Sequence, residues 1–152
     1  MPKISLFSHA LLEAKKAYTL SEVPVGAVIV DSLSGEIIAT AHNEMEKRKD
    51  PTAHAELLAI QQACLKKGRG RLEECDIYVT LEPCPMCAAA IGFARLRRLY
   101  FGAYDPKGGG VDHGAKIFNA SSSHHTPEII GGVEEQKCAH LLKKFFIKKR
   151  GG

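Results

Sequence analysis

Two short segments, each opening a helix just after a proline-marked turn, constrain this chain more than any other feature: His54-Ala55-Glu56 and Pro83-Cys84-Pro85-Met86-Cys87. In Cys-x-x-Cys at a helix start the two thiols are neighbours on the first turn. There, exposed main-chain N–H groups and the helix dipole favour thiolates. The spacing suits one tetrahedral metal, and one imidazole with two thiolates selects zinc. Successive odd positions of a helix point about 200° apart, so His54 and Glu56 cannot share a face and must straddle the helix start. A metal off the helix end is then reached directly by His54, while Glu56 approaches the metal-bound water from the side. Two thiolate ligands donate charge and leave that water less acidic than three imidazoles would, so a nearby base is needed. Glu56 fills that need, taking a proton from the water and returning it to a leaving group.

Two other metal or thiol roles compete. A structural zinc knuckle needs four protein ligands, and Cys64, Cys75, Cys138 and the other histidines lack paired spacing with the first three. A redox Cys-x-x-Cys leaves His54 and Glu56 without a purpose.

Along the chain, Phe7, Ala10, Leu11, Ala14, Ala17 and Tyr18 recur at helical spacing and predict an amphipathic helix over Ile4 to Leu20. The β-branched run Val25 to Val30, the turn cluster Ser32 to Gly35 and the run Glu36 to Ala41 predict a β-hairpin. Thr52 is expected to cap a helix from Ala53 to Lys67, stopped by Gly68. A strand over Asp76 to Leu81, a helix over Met86 to Ala94 and a strand over Arg98 to Ala103 follow. Tyr104 to Gly114 and Ala120 to Pro127 are loops, Glu128 to Val133 a last short strand, and Glu134 to Arg150 a helix. A hairpin followed by alternating helices and strands predicts a single α/β domain over residues 1–152, a mixed sheet covered by helices on both faces.

A length of 152 residues with 45% hydrophobic and 25% charged content suits one such domain and excludes disordered and fibrous classes. Five cysteines, an odd number without the density of a disulfide scaffold, favour thiols and metal ligands. No apolar run reaches the roughly 18 residues of a membrane span, and the opening residues do not resemble a signal peptide, which predicts a cytoplasmic protein without a membrane partner. The net charge of +4 permits a polyanionic partner. Positive charge gathers at Lys66 to Arg71, Arg95 to Arg98 and Lys143 to Arg150.

His54-x-Glu56 with Pro83-Cys84-x-x-Cys87 resembles the cytidine and deoxycytidylate deaminase superfamily of zinc hydrolases. Val23 to Val30, His42-Asn43, Asp50 to Glu56, Tyr78 to Cys84, Phe101 to Ala103, Asp105 to Lys107 and Leu141 to Phe146 are similar to its bacterial branch that deaminates adenosine in transfer RNA. The resemblance implies a three-layer α/β/α sandwich with a mixed sheet of about five strands. It implies one zinc per chain on His54, Cys84 and Cys87, a catalytic water in the fourth position, and Glu56 as proton shuttle. Hydroxide would attack C6 of the wobble adenosine of an anticodon stem-loop and leave inosine. Asn43, the Ala55 main-chain amide, Asp105, Lys107 and Phe146 are the implied substrate contacts, and a homodimer is the implied assembly. The segment Gly108 to Thr126 departs from the pattern of that branch, so a deaminase of a free base such as cytosine or guanine stands as the alternative.

Overall fold

The computed structural model describes residues 3–151, with side chains from Leu6 onward. Helix α1 (Lys3–Thr19) leads into strands β1 (Gly26–Asp31) and β2 (Ile37–His42), the expected antiparallel hairpin. A one-turn helix α2 (Met45–Arg48) precedes α3 (Ala55–Lys67), and β3 (Cys75–Leu81), α4 (Pro85–Phe93) and β4 (Arg98–Ala103) follow. A 3-10 turn (Ile117–Asn119), β5 (Glu128–Ile130) and α5 (Glu135–Gly151) complete the chain. The strands form one mixed five-stranded sheet in the order β2-β1-β3-β4-β5, with β1 antiparallel to both neighbours and β3, β4 and β5 parallel.

Because side chains alternate across a strand, each central strand feeds two cores. Ala27 and Ile29 of β1, Ile77 and Val79 of β3, and Leu99 and Phe101 of β4 pack beneath α3 and α4, with Leu58, Ala59, Ala88 and Ile91. Their alternates Val28, Val30, Tyr78 and Tyr100 pack on the other face with Phe7 and Ala10 of α1 and Cys138 of α5. The three-layer arrangement therefore follows from period-two patterning on strands that are buried on both sides. Gly26 marks the closest approach of α1 to the sheet: a Cβ there would lie 2.1 Å from the carbonyl oxygen of Ala10.

Several expected boundaries move. Helix α3 begins at Ala55, not Ala53, because both the main-chain N–H and the hydroxyl of Thr52 donate to Asp50 Oδ1, at 2.8 and 2.6 Å. Thr52 thus closes a turn with Asp50, and the extended residue at the N-cap is His54 (φ −78°, ψ 151°). The C-terminal stop at Gly68, left-handed at φ 71°, is as expected. Strand β5 ends at Ile130, three residues early, where Gly131-Gly132 turns the chain away. Helix α2 is capped from a distance: the buried Glu22 carboxylate accepts from the N–H groups of Glu46 (3.0 Å) and Lys47 (2.8 Å).

The expected domain over 1–152 includes residues 1, 2 and 152, which lie outside those described. Among the described residues, no helix is long and apolar enough to cross a membrane.

Candidate metal centre and substrate cleft

Strands β2 and β3 both run antiparallel to β1, so their C-terminal ends lie at the same end of the sheet, and the parallel β4 joins them there. The chain leaving β2 leads to α3, the chain leaving β3 leads directly to α4, and both helix N-termini are thereby brought together. The main-chain N–H of Gly26, at the start of β1, donates to Thr80 Oγ1 (3.1 Å) and ties β1 to β3 at this end of the sheet. A cleft of about 260 Å³ opens here, lined by Val23, Asn43, His54, Glu56, Cys84 and Asp105 among others. Its position outside the carboxyl ends of neighbouring strands is the usual one for ligand sites on open α/β sheets.

His54 is the N-cap of α3, while Cys84 and Cys87 are the N-cap and third residue of α4. Pro85 occupies the first helical position, where its missing N–H costs nothing and its fixed φ starts the helix. Both sulfur atoms lie 3.6 Å from His54 Nδ1. Zinc–sulfur bonds of about 2.3 Å and a zinc–nitrogen bond of about 2.0–2.1 Å, set at a tetrahedral angle, require a sulfur–nitrogen separation of about 3.6 Å. The donor set therefore fits zinc in both chemistry and spacing. Among the described residues it is the one group of three or more His, Cys, Asp or Glu donors clustered within 4.8 Å, and no fourth side chain joins it. Cys75 and Cys138 are buried elsewhere, against Glu74 and Gly102, so the closed four-ligand knuckle has no partner to complete it.

The electrostatics match that reading. Hydrogen bonding to Cys87 outweighs burial and, with His54, pulls the Cys84 thiol down to about 4. The same contact and burial push Cys87 up, and Cys84 raises His54. These shared protons are what a dication displaces on binding. Glu56, second residue of α3, is buried behind the donors. Burial is the main influence that pushes its carboxyl up to about 7, with the Cys84 charge adding to the rise and its own main-chain N–H and His54 opposing it.

Of the expected substrate contacts, Asn43, Ala55 and Asp105 line the cleft. Asn43 Oδ1 accepts from Met45 N (3.1 Å), which orients the amide at the start of α2. Asp105 Oδ1 accepts from the N–H groups of Lys107 (3.3 Å) and Gly108 (2.9 Å). Lys107 is exposed and is not among the lining residues. Phe146 lies on α5, 43% exposed and edge-on to the buried Phe145 at 5.3 Å, also outside the lining. Near that pair the Tyr18 ring is flanked by Lys144 Nζ at 5.3 Å and Lys148 Nζ at 5.4 Å.

Sequence reasoning missed Glu82. Its side chain is fully buried, and its two oxygens accept from four main-chain N–H groups and from His113 Nδ1. The signal was present as the single acid between an apolar strand and Pro83, facing a glycine run at 108–110. His113 is engaged with it at 2.8 Å.

Residues 2–103 match the model of the cytidine and deoxycytidylate deaminase zinc-binding region. The chain belongs to the cytidine and deoxycytidylate deaminase family and is a zinc-dependent hydrolase. It is 50% identical over 141 residues to a tRNA-specific adenosine deaminase of Agrobacterium fabrum, covering 93% of this chain and 91% of that one. A Bacillus subtilis protein of the same name is 46% identical, covering 93% and 87%. A solved structure from work on A-to-I editing by tRNA:A34 deaminases is 48% identical, with a TM-score of 0.88 and coverage of 91% and 99%.

Proposed function

We propose that this chain hydrolyses the 6-amino group of the wobble adenosine in a transfer RNA anticodon stem-loop, in the cytoplasm, releasing ammonia and leaving inosine. One observation carries the reading: a three-donor cage opens onto a cleft beside a buried carboxyl, in a chain half identical to an enzyme named for this substrate. His54, Cys84 and Cys87 would hold a zinc ion, whose Lewis acidity would make water a nucleophile near neutral pH. Glu56 takes a proton from that water as the water oxygen bonds to C6, and delivers a proton to the departing nitrogen, so that the C6–N bond breaks with loss of neutral ammonia and the oxygen stays on C6. The Asn43 amide has donor and acceptor capacity beyond its contacts with Met45 and Val23 and orients the nucleotide. The main-chain amide of Ala55 seats the base, Asp105 accepts from the ribose, and Lys107 and Phe146 meet the RNA outside the cleft.

A polyanionic substrate suits the last helix. Lys143, Lys144, Lys148, Lys149 and Arg150 form no ion pair among the described residues. A homodimer suits the opposite side, where Phe93 of α4 is 80% exposed beside an apolar hollow lined by Ala89, Ile117 and Phe118.

The test is an anticodon stem-loop with adenosine at the wobble position, run beside free adenine, guanine and cytosine. Inosine formed in the RNA supports the proposal. Turnover of a free base without turnover of the RNA would reject it in favour of a small-base deaminase. A monomer mass by light scattering at working concentration would end the dimer proposal.

A further inference from the structure

The segment from Gly108 onward is folded around one buried anion. Glu82 Oε2 accepts from three consecutive main-chain N–H groups, Val111 (3.2 Å), Asp112 (2.9 Å) and His113 (3.0 Å). Glu82 Oε1 accepts from Asp105 N (3.0 Å) and His113 Nδ1 (2.8 Å). Successive N–H groups converging on one oxygen form an anion nest, and here the anion is the protein's own carboxylate. Burial pushes the Glu82 carboxyl up, but these bonds overcome it and the net shift is downward. The loop backbone comes so close that a Cβ on Gly109 would lie 2.5 Å from Glu82 Oε2, and one on Gly110 2.5 Å from Pro85 N. Glu82 itself is two residues before Cys84 and borders the cleft, but its 0% exposed side chain has both oxygens engaged by the loop.

Asp105 and Gly108, at the near end of this loop, form one wall of the cleft. The strand end that carries the first thiolate therefore also holds the wall that faces the nucleotide. We propose that Glu82, with His113, is a positioning residue for substrate: it folds residues 105–113 into the shape that presents Asp105 to the cleft, acting on binding and not on the donor cage. This assignment rests on the RNA reading above only for the identity of the substrate.

Glu82→Gln keeps the shape and replaces one oxygen by a donor, which must then face either the three N–H groups of residues 111–113 or those of Asp105 and His113. Either orientation removes the charge that the nest holds and sets a donor against at least one main-chain N–H that Glu82 now accepts from. Amide hydrogen exchange of Asp105 and of residues 111–113 should accelerate by about tenfold or more, with exchange in the central strands unchanged. Zinc content should stay near one per chain. On the adenosine stem-loop, KM should rise by about tenfold, with kcat lowered by less than about threefold. His113→Ala, at a residue 35% exposed, removes one of the five bonds. It should shift exchange and KM in the same direction by less, and it serves if the first variant does not fold. Unchanged exchange at these amides, or a loss in kcat with KM constant, would overturn the assignment. If the unmodified protein leaves adenosine stem-loops untouched, the substrate reading fails, while the exchange result still decides the role of Glu82.

Discussion

Neutralising the two cations that flank Tyr18 should change how RNA binding responds to salt, by an amount that follows from counting charges. Lys144 and Lys148 place their ammonium groups 5.3 and 5.4 Å from the Tyr18 ring centre on a surface without an acidic partner among the described residues. If both contact phosphates, each releases counterions on binding, and the slope of log K against log salt carries about −0.7 per contact on single strands and −0.9 on duplex. Lys144→Gln with Lys148→Gln should thus flatten the slope by about 1.4–1.8. Between about 50 and 200 mM salt the unmodified protein should lose about 7–12-fold more affinity than the double variant. Fluorescence anisotropy with a labelled anticodon stem-loop at three or four salt concentrations measures both lines. Loss of two exposed cation–π contacts costs about 0.5–1 kcal/mol each, so the variant stays folded and the comparison is clean. Parallel lines for the two proteins would show that these lysines meet no phosphate and would refute the reasoning.

Glu56→Gln should lower kcat by about 10²- to 10⁴-fold, the usual worth of a positioned proton-transfer group, with one zinc per chain retained in elemental analysis. Full activity in that variant would remove the carboxylate from the mechanism. Gly26→Ala should lower Tm by about 5 °C or more in a thermal melt, since the new methyl lies 2.1 Å from the Ala10 carbonyl oxygen and must push α1 off the sheet; a melt within about 1 °C of the parent would mean that α1 does not pack as described. Asp31 is held down to about 2 by its bond to Lys67 and by the N–H groups of Ser34 and Leu33. A depressed carboxyl stabilises the fold above its unfolded value near 4 and loses that contribution as pH falls toward about 2. Lys67→Gln should therefore flatten the acid limb of urea unfolding between about pH 4 and 2, and superimposable limbs would contradict the pairing.

What the sequence disclosed and what it hid divide by the distance over which residues act. The hairpin, the central strands and the stops at Gly68 and Pro83 are written in local periodicity and turn chemistry, and they appear where expected. The donor set was legible because two motifs each place their ligands within one helical turn, so that one contact between the motifs completes the cage. Thr52 misled because its hydroxyl, expected to accept from the N–H groups of the helix start, instead donates to the Asp50 carboxylate. Glu22, Glu82 and His113 were invisible for a different reason: each satisfies main-chain or carboxylate partners more than 20 positions away, and nothing in the intervening residues announces the pairing. Lys107 and Phe146, expected from resemblance alone, sit beyond the cleft wall.

Both helix starts that bear the donors are anchored to neighbouring strands, whereas the stretch from residue 104 to residue 127 leaves the sheet after β4 and returns only at β5. Its length and composition can be redrawn only outside the residues that meet the buried acid at position 82 and the start of α4, where Gly110 donates to the Pro83 carbonyl oxygen and Phe118 joins the core. One end of the sheet in this way fixes the donors, while the outer part of a single loop is the surface left free to change beside the cleft.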